Sequence, residues 1–124
     1  MKKQCKIVMR SLDNSQTFSG TMERTGKFVC IEYADNDAMC LIRIDNEGAR
    51  IKRSSETEYE IMLKENQPSS AVISTPYGDI NAFVTTNSIS AKHKENSVMI
   101  ELDYSMSLDG AVSDIKIKLL ATEI

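Results

Sequence analysis

The sequence predicts an all-β protein, a closed antiparallel up-and-down β-barrel of about eight to ten strands. Apolar residues alternate with polar ones at period 2 along nearly the whole chain, which marks strands with one buried face. Turn-forming residues punctuate that pattern about every eight to twelve positions. Helical periodicity is almost absent, with no convincing segment of apolar residues at i, i+3, i+4 and i+7, so helices are not expected. Hairpins linked head to tail give a meander, and a flat open sheet of that length would curl and leave hazardous edges. Closure removes the edges. A two-sheet sandwich built from the same hairpins is the alternative architecture.

Each hairpin can be placed by its turn. Thr25-Gly26 pairs Met22 with Val29, Gly20 with Ile31 and Phe18 with Tyr33. Gly20, in mid-strand, supplies a bend for closure. Asp35-Asn36 pairs Ile31 with Cys40 and Val29 with Ile42. Asp45-Asn46-Glu47-Gly48 pairs Ile44 with Ala49 and Ile42 with Ile51. Ser55-Glu56-Thr57 pairs Ile51 with Ile61 and, outside, Lys52 with Glu60. The polar stretch Glu65-Asn66-Gln67-Pro68-Ser69-Ser70 reads as a surface loop. Thr75-Pro76-Tyr77-Gly78 pairs Ile73 with Ile80. Asn87-Ser88 and Glu95-Asn96 close two further hairpins, pairing Val84 with Ala91 and Ala91 with Ile100, unless Asn87–Lys94 is a bulged continuation of its neighbour.

Asp109-Gly110 gives the clearest turn, because two-residue hairpin loops need positive φ. It sets Tyr104 against Ile115, Leu102 against Ile117 and Ile100 against Leu119. The same register sets Asp103 against Lys116 and Glu101 against Lys118 on the outer face, each opposed pair favourable by roughly 0.2–1 kcal/mol. A slip of one residue would turn the apolar set to water.

The 124 residues fit one domain spanning 1–124. Hydrophobic residues at 41% and charged residues at 27% place the chain among globular proteins. The net charge is -3 with acids and bases interspersed, and the absence of a basic stripe argues against nucleic acid. Lys6 and Arg10 interrupt the apolar run that a signal peptide would need. No run approaches a membrane span. An odd count of three cysteines suits a reducing compartment, so the cytoplasm is expected.

Most of the familiar catalytic and metal-binding constellations are missing. Cys5, Cys30 and Cys40 have no CxxC spacing. The registers set Cys40 against Ile31 and Cys30 against Leu41, on opposite faces, which argues against a disulfide; all three read as small apolar fillers. Asp35-Asn36-Asp37 lacks the glycine and distant glutamate of a calcium loop. His93, the single histidine, has no nucleophile beside it in the sequence. No enzyme activity, cofactor or metal is expected.

Inward-facing polar residues carry the functional reading. Arg53 shares the face of Ala49 and Ile51, Tyr59 that of Ile61 and Leu63, Tyr33 that of Val29 and Ile31, and His93 that of Ile89 and Ala91. Following the meander from turn to turn gathers Phe18, Tyr33, Arg53, Tyr59, Tyr77 and His93 at one mouth, while the opposite interior reads as Ile, Leu, Val, Met and Ala. A buried Arg53 needs a carboxylate, ordered water or an anionic ligand. A small amphipathic or anionic molecule with its head on Arg53 meets that need. Tyr and Arg also plug a barrel end unaided, with wet tips and apolar bodies.

The second half resembles the YwiB-like family, bacterial domains of unknown function with a calycin-like β-barrel. Ser74-Thr75-Pro76-Tyr77-Gly78, then Thr86 with Ile89, then Met99 through Gly110 carry the resemblance. Phe28 to Tyr33 resembles the family's strand ending in Tyr, and Ile51-Lys52-Arg53 its strand ending in Arg, with Ser55 at a position usually glycine. The resemblance implies a fold and no activity. Calycin-like barrels include carriers of apolar ligands, but this chain has no Trp and so lacks the lipocalin Gly-x-Trp start.

Three readings follow. The first is a non-enzymatic cytoplasmic barrel that binds a small ligand through Tyr33, Arg53, Tyr59, Tyr77 and His93. The second is a filled barrel working as a structural or interaction module, with outward Met39, Leu41 and Met62 suited to a homodimer or another protein. The third is an enzyme using His93.

Overall fold

Ten strands follow one another along the chain: β1 (Lys3–Ser11), β2 (Asn14–Thr25), β3 (Phe28–Asp35), β4 (Ala38–Asp45), β5 (Gly48–Ser54), β6 (Glu58–Leu63), β7 (Pro68–Thr75), β8 (Gly78–His93), β9 (Ser97–Leu108) and β10 (Ala111–Glu123). They come from a computed structural model that describes residues 2–11 and 14–124. Each strand pairs antiparallel with the next, and β1 pairs with β10 to close the barrel. This is the expected up-and-down barrel; the sandwich is excluded.

The last hairpin has the predicted register, with Tyr104 opposite Ile115 and Glu101 opposite Lys118. Asp109 and Gly110 take φ of 50° and 82°, as a type I′ turn requires. The β4–β5, β5–β6 and β7–β8 pairings also match, with Ile42 opposite Ile51, Ile51 opposite Ile61 and Ile73 opposite Ile80.

Four expectations need correction. The β2–β3 turn is centred one residue later than Thr25-Gly26, so Met22 faces Ile31 and Gly20 faces Tyr33. The β3–β4 turn moves likewise, so Ile31 faces Ile42 and Cys40 faces Tyr33, with Cys30 opposite Arg43. In both turns the residue with positive φ, Gly26 at 60° or Asn36 at 55°, opens the turn rather than ending it. A shift of two in partner keeps every side chain on its predicted face. Asn87-Ser88 closes no hairpin; β8 runs through it with a bulge between Thr86 and Ser88. Pro68, Ser69 and Ser70 belong to β7 rather than to a loop.

Inward positions make one continuous core. Ile7, Met22, Val29, Ile31, Ile42, Leu63, Val84, Val98, Ile100, Leu102 and Leu119 are among its most deeply buried side chains. All three cysteines are free. Gly20 lets β2 approach β3: a Cβ there would collide with the Glu32 carbonyl and crowd Ile7 and Tyr33.

Candidate functional site at the barrel ends

Up-and-down connectivity gives the barrel two chemically different ends. One holds the tips of the hairpins at Ser11/Asn14, Asp35/Ala38, Ser54/Glu58, Thr75/Gly78 and Leu108/Ala111. The other holds Thr25/Phe28, Asp45/Gly48, Leu63/Pro68 and His93/Ser97.

At the first end, one inward row of cross-strand partners runs Gly20, Tyr33, Cys40, Arg53, Tyr59, Ile73. The strand period therefore brings three of the predicted residues, Tyr33, Arg53 and Tyr59, together. Arg53 donates through Nη1 to Asp35 Oδ2 at 3.0 Å and to Cys40 Sγ at 3.5 Å. Asp35 shares the inward parity of Tyr33, so the chain supplies the carboxylate that Arg53 needs. Both side chains keep partial access to water, at 32% and 25% exposure. The Phe18 ring lies on Tyr33, centroids 4.7 Å apart and tilted by 35°. The Tyr33 hydroxyl donates toward Met9 Sδ at 3.9 Å.

The electrostatics follow from this packing. Burial pushes the Tyr33 phenol far up, and neighbouring Cys40 adds to the shift. Burial also raises Tyr59, opposed by the adjacent Arg53 charge. Tyr104, inward on β9, is pushed up to about 12 by burial and then by Tyr59. The hydrogen bond to Asp35 raises Arg53 further and outweighs its own desolvation. With their pKa values raised, these phenols stay protonated at neutral pH. Among the described residues, no group of three or more His, Cys, Asp or Glu could hold a metal.

Two predicted site residues do not join that inward row. Tyr77 sits in the β7–β8 turn at the Arg53 end, but at 99% exposure it projects into solvent. His93 is inward-facing but at the opposite end, beside the β8–β9 turn. The extra hairpin read at Asn87-Ser88 inverted the direction of the following strand and so transferred His93 to the wrong mouth.

The opposite end is not wholly apolar. Arg24 on β2 has the inward parity of Met22 and reaches across to the β8–β9 turn. It donates to the carbonyls of Lys94 at 2.8 Å, Glu95 at 2.8 Å and Ser97 at 3.1 Å. It also meets Glu123 Oε1 at 3.2 Å. Alternation reveals Arg24 as it does Arg53, but the sequence reading overlooked it. Each end of the barrel thus has an inward arginine bound to this chain's own acceptors.

No curated protein matches the chain. The fold is similar to that of the ywiB protein from Bacillus subtilis, with a TM-score of 0.72 over 99% of this chain and 90% of that one, at 14% identity. At that identity the likeness is one of fold. The YwiB-like resemblance read from Ser74–Gly78 and Met99–Gly110 is therefore borne out as a shared barrel. Residues 6–119 match a family model, and by that match over most of its length the chain belongs to the family described as Domain of unknown function (DUF1934).

Proposed function

We propose that this chain is a non-catalytic interaction module, a filled barrel that pairs with a second copy of itself through its outer surface. The observation that carries the reading is the occupied interior. Deeply buried Ile, Leu, Val and Met side chains fill the barrel, and Arg53 and Arg24 close on internal acceptors at either end. A carried ligand's tail would have to displace that core, since interiors are close-packed.

The outer face offers a specific place for pairing. Phe83 on β8 points outward at 77% exposure. Ser70 and Ser107 lie beside it, and Val112, 67% exposed, lies beyond Ser107. Val72, Asn81, Thr85 and Ser105 are further uncharged neighbours, and Asp114, at the edge of the patch, accepts a hydrogen bond from Ser105 Oγ at 2.6 Å. A two-fold interface sets a patch against its own copy, so an uncharged patch avoids the repulsion that a single-sign patch would suffer. The outward face carrying Arg10, Lys116 and Lys118 also carries Glu101 and Asp103, and charged residues are depleted at interface cores. Met39, Leu41 and Met62 do not form such a patch. Met39 is exposed, but Leu41 lies between Glu32 and Lys52, and Met62 accepts from Arg50 Nε at 3.2 Å.

Sedimentation equilibrium tests the reading. The wild type should approach twice 13.9 kDa. Phe83→Ser should return the mass to the monomer with an unchanged circular dichroism spectrum. A wild type that stays monomeric at every concentration sinks the proposal.

A second reading keeps a small anion at the Arg53 mouth. Arg53 uses Nη1 for both internal bonds and remains 32% exposed, which supports an added anionic contact. Titration of the wild type and Arg53→Ala with inorganic phosphate tests it: saturable binding lost in the variant supports it, and equal behaviour removes it.

A further inference from the structure

The His93 end has a feature that neither reading uses. Between the β4–β5 turn, the β6–β7 loop and β8, the mouth opens into a cleft of about 630 Å³. Inward parity on β4 and β8 supplies its apolar lining, Ile44, Ile89 and Ala91. Gly48 shapes the adjoining wall. At φ 147°, its Cα side lies so close to the Leu63 carbonyl that a Cβ would collide with it, so the turn sits directly against β6.

Charge at this cleft is unevenly satisfied. Asp45 accepts the Glu47 N–H at 2.8 Å and lies 3.9 Å from Arg43. Glu65 accepts the Ile89 N–H at 2.9 Å. The ammonium groups of Lys27 and Lys64 and the His93 imidazole, all at the cleft, have no hydrogen-bond or ion-pair partner among the described residues. Against them stand two carboxylates without a side-chain partner, Glu47 and Glu65, the second held by the Ile89 N–H. The unmet hydrogen-bonding capacity is therefore mainly that of donors, two of them cationic, beside an apolar lining.

We propose that this cleft binds a small amphipathic carboxylate. Its hydrocarbon body lies on Ile44, Ile89 and Ala91, and its carboxylate accepts hydrogen bonds from Lys27, Lys64 and His93. Neither half suffices alone: exposed ion pairs contribute little by themselves, and an apolar lining without donors gives no orientation. The site is distinct from the Arg53 mouth, and its occupation requires no change in the filled core.

Amide-resolved NMR titration with octanoate tests the site, with octanol and acetate as probes of each half. Octanoate should cause saturable shifts at Ile44, Ile89, Ala91 and His93. Octanol and acetate should each bind about tenfold or more weakly, the factor a charge-assisted contact or a buried chain supplies. Lys64→Glu should weaken octanoate by about tenfold and leave octanol unchanged. Equal affinity for octanoate and octanol, or for octanoate and acetate, would overturn the proposal. So would absence of saturation, or shifts centred on Tyr33, Cys40 and Arg53. Because Phe83→Ser leaves this end untouched, failure here and failure of self-pairing are separate results.

Discussion

The guanidinium of Arg24 on β2 meets the carboxylate of Glu123 on β10 at 3.2 Å, although β1 lies between the two strands in the sheet. The side chain spans the barrel end and also binds three carbonyls in and beside the β8–β9 turn.

Arg24→Ala should therefore destabilise the fold by about 2–3 kcal/mol, since it removes charge-assisted bonds at a site only 18% exposed. Arg24→Lys should recover less than half of that, because one ammonium cannot reproduce the planar fork. Urea unfolding midpoints measure both. A loss below about 0.5 kcal/mol, the ordinary scale of a surface substitution, would mean that the end closes without Arg24.

Asp35 and Arg53 should couple more weakly, because both reach solvent. A double-mutant cycle with Asp35→Ala and Arg53→Ala should return about 1 kcal/mol. A coupling of zero would leave the 3.0 Å contact without energetic weight.

Stability should fall in alkali. The Tyr104 phenol is held up to about 12 in the fold, against about 10 in the unfolded chain. Burial raises Tyr33 and Tyr59 as well. Below pH 10 both states keep the Tyr104 proton and no stability is lost through it. Between pH 10 and 12 the unfolded chain releases that proton and the fold retains it, so unfolding becomes easier as pH rises. The loss from Tyr104 should be on the order of 2 kcal/mol. Tyr104→Phe should flatten the fall in the urea midpoint over this range; an unchanged slope would assign the alkaline loss elsewhere.

The parts of this fold legible in advance were those where turn chemistry and packing agreed independently. Asp109-Gly110 could form only one tight turn that also turned Ile115 and Ile117 inward and matched Lys116 to Asp103. Thr25-Gly26 and Asp35-Asn36 were harder, because a residue tolerant of positive φ can open or close a turn, and alternation is blind to a shift of two. That ambiguity hid the partner of Arg53: centring the turn on Asp35 removed it from the strand, where its parity faces it inward. Asn87-Ser88 had turn-like residues, yet a bulge satisfied the chain instead. The inverted strand direction then carried the error to the location of His93, whose inward parity was unaffected. Tyr77 had no strand parity to place it, and its position depended on turn geometry alone.

The pairing of β1 with β10 also orders events in time. Every other strand has its partner next to it in the chain, so each hairpin can zip as soon as its second strand leaves the ribosome. β1 must keep one backbone edge unpaired until β10 has been made, on the order of ten seconds at ordinary synthesis rates. Closing that last seam joins segments more than a hundred residues apart (Lys6 opposite Thr122) and bears the largest loop-closure entropy of any strand pairing. The nascent chain is thus most exposed to misassociation just before its final strand arrives, and ring closure is the expected kinetic bottleneck.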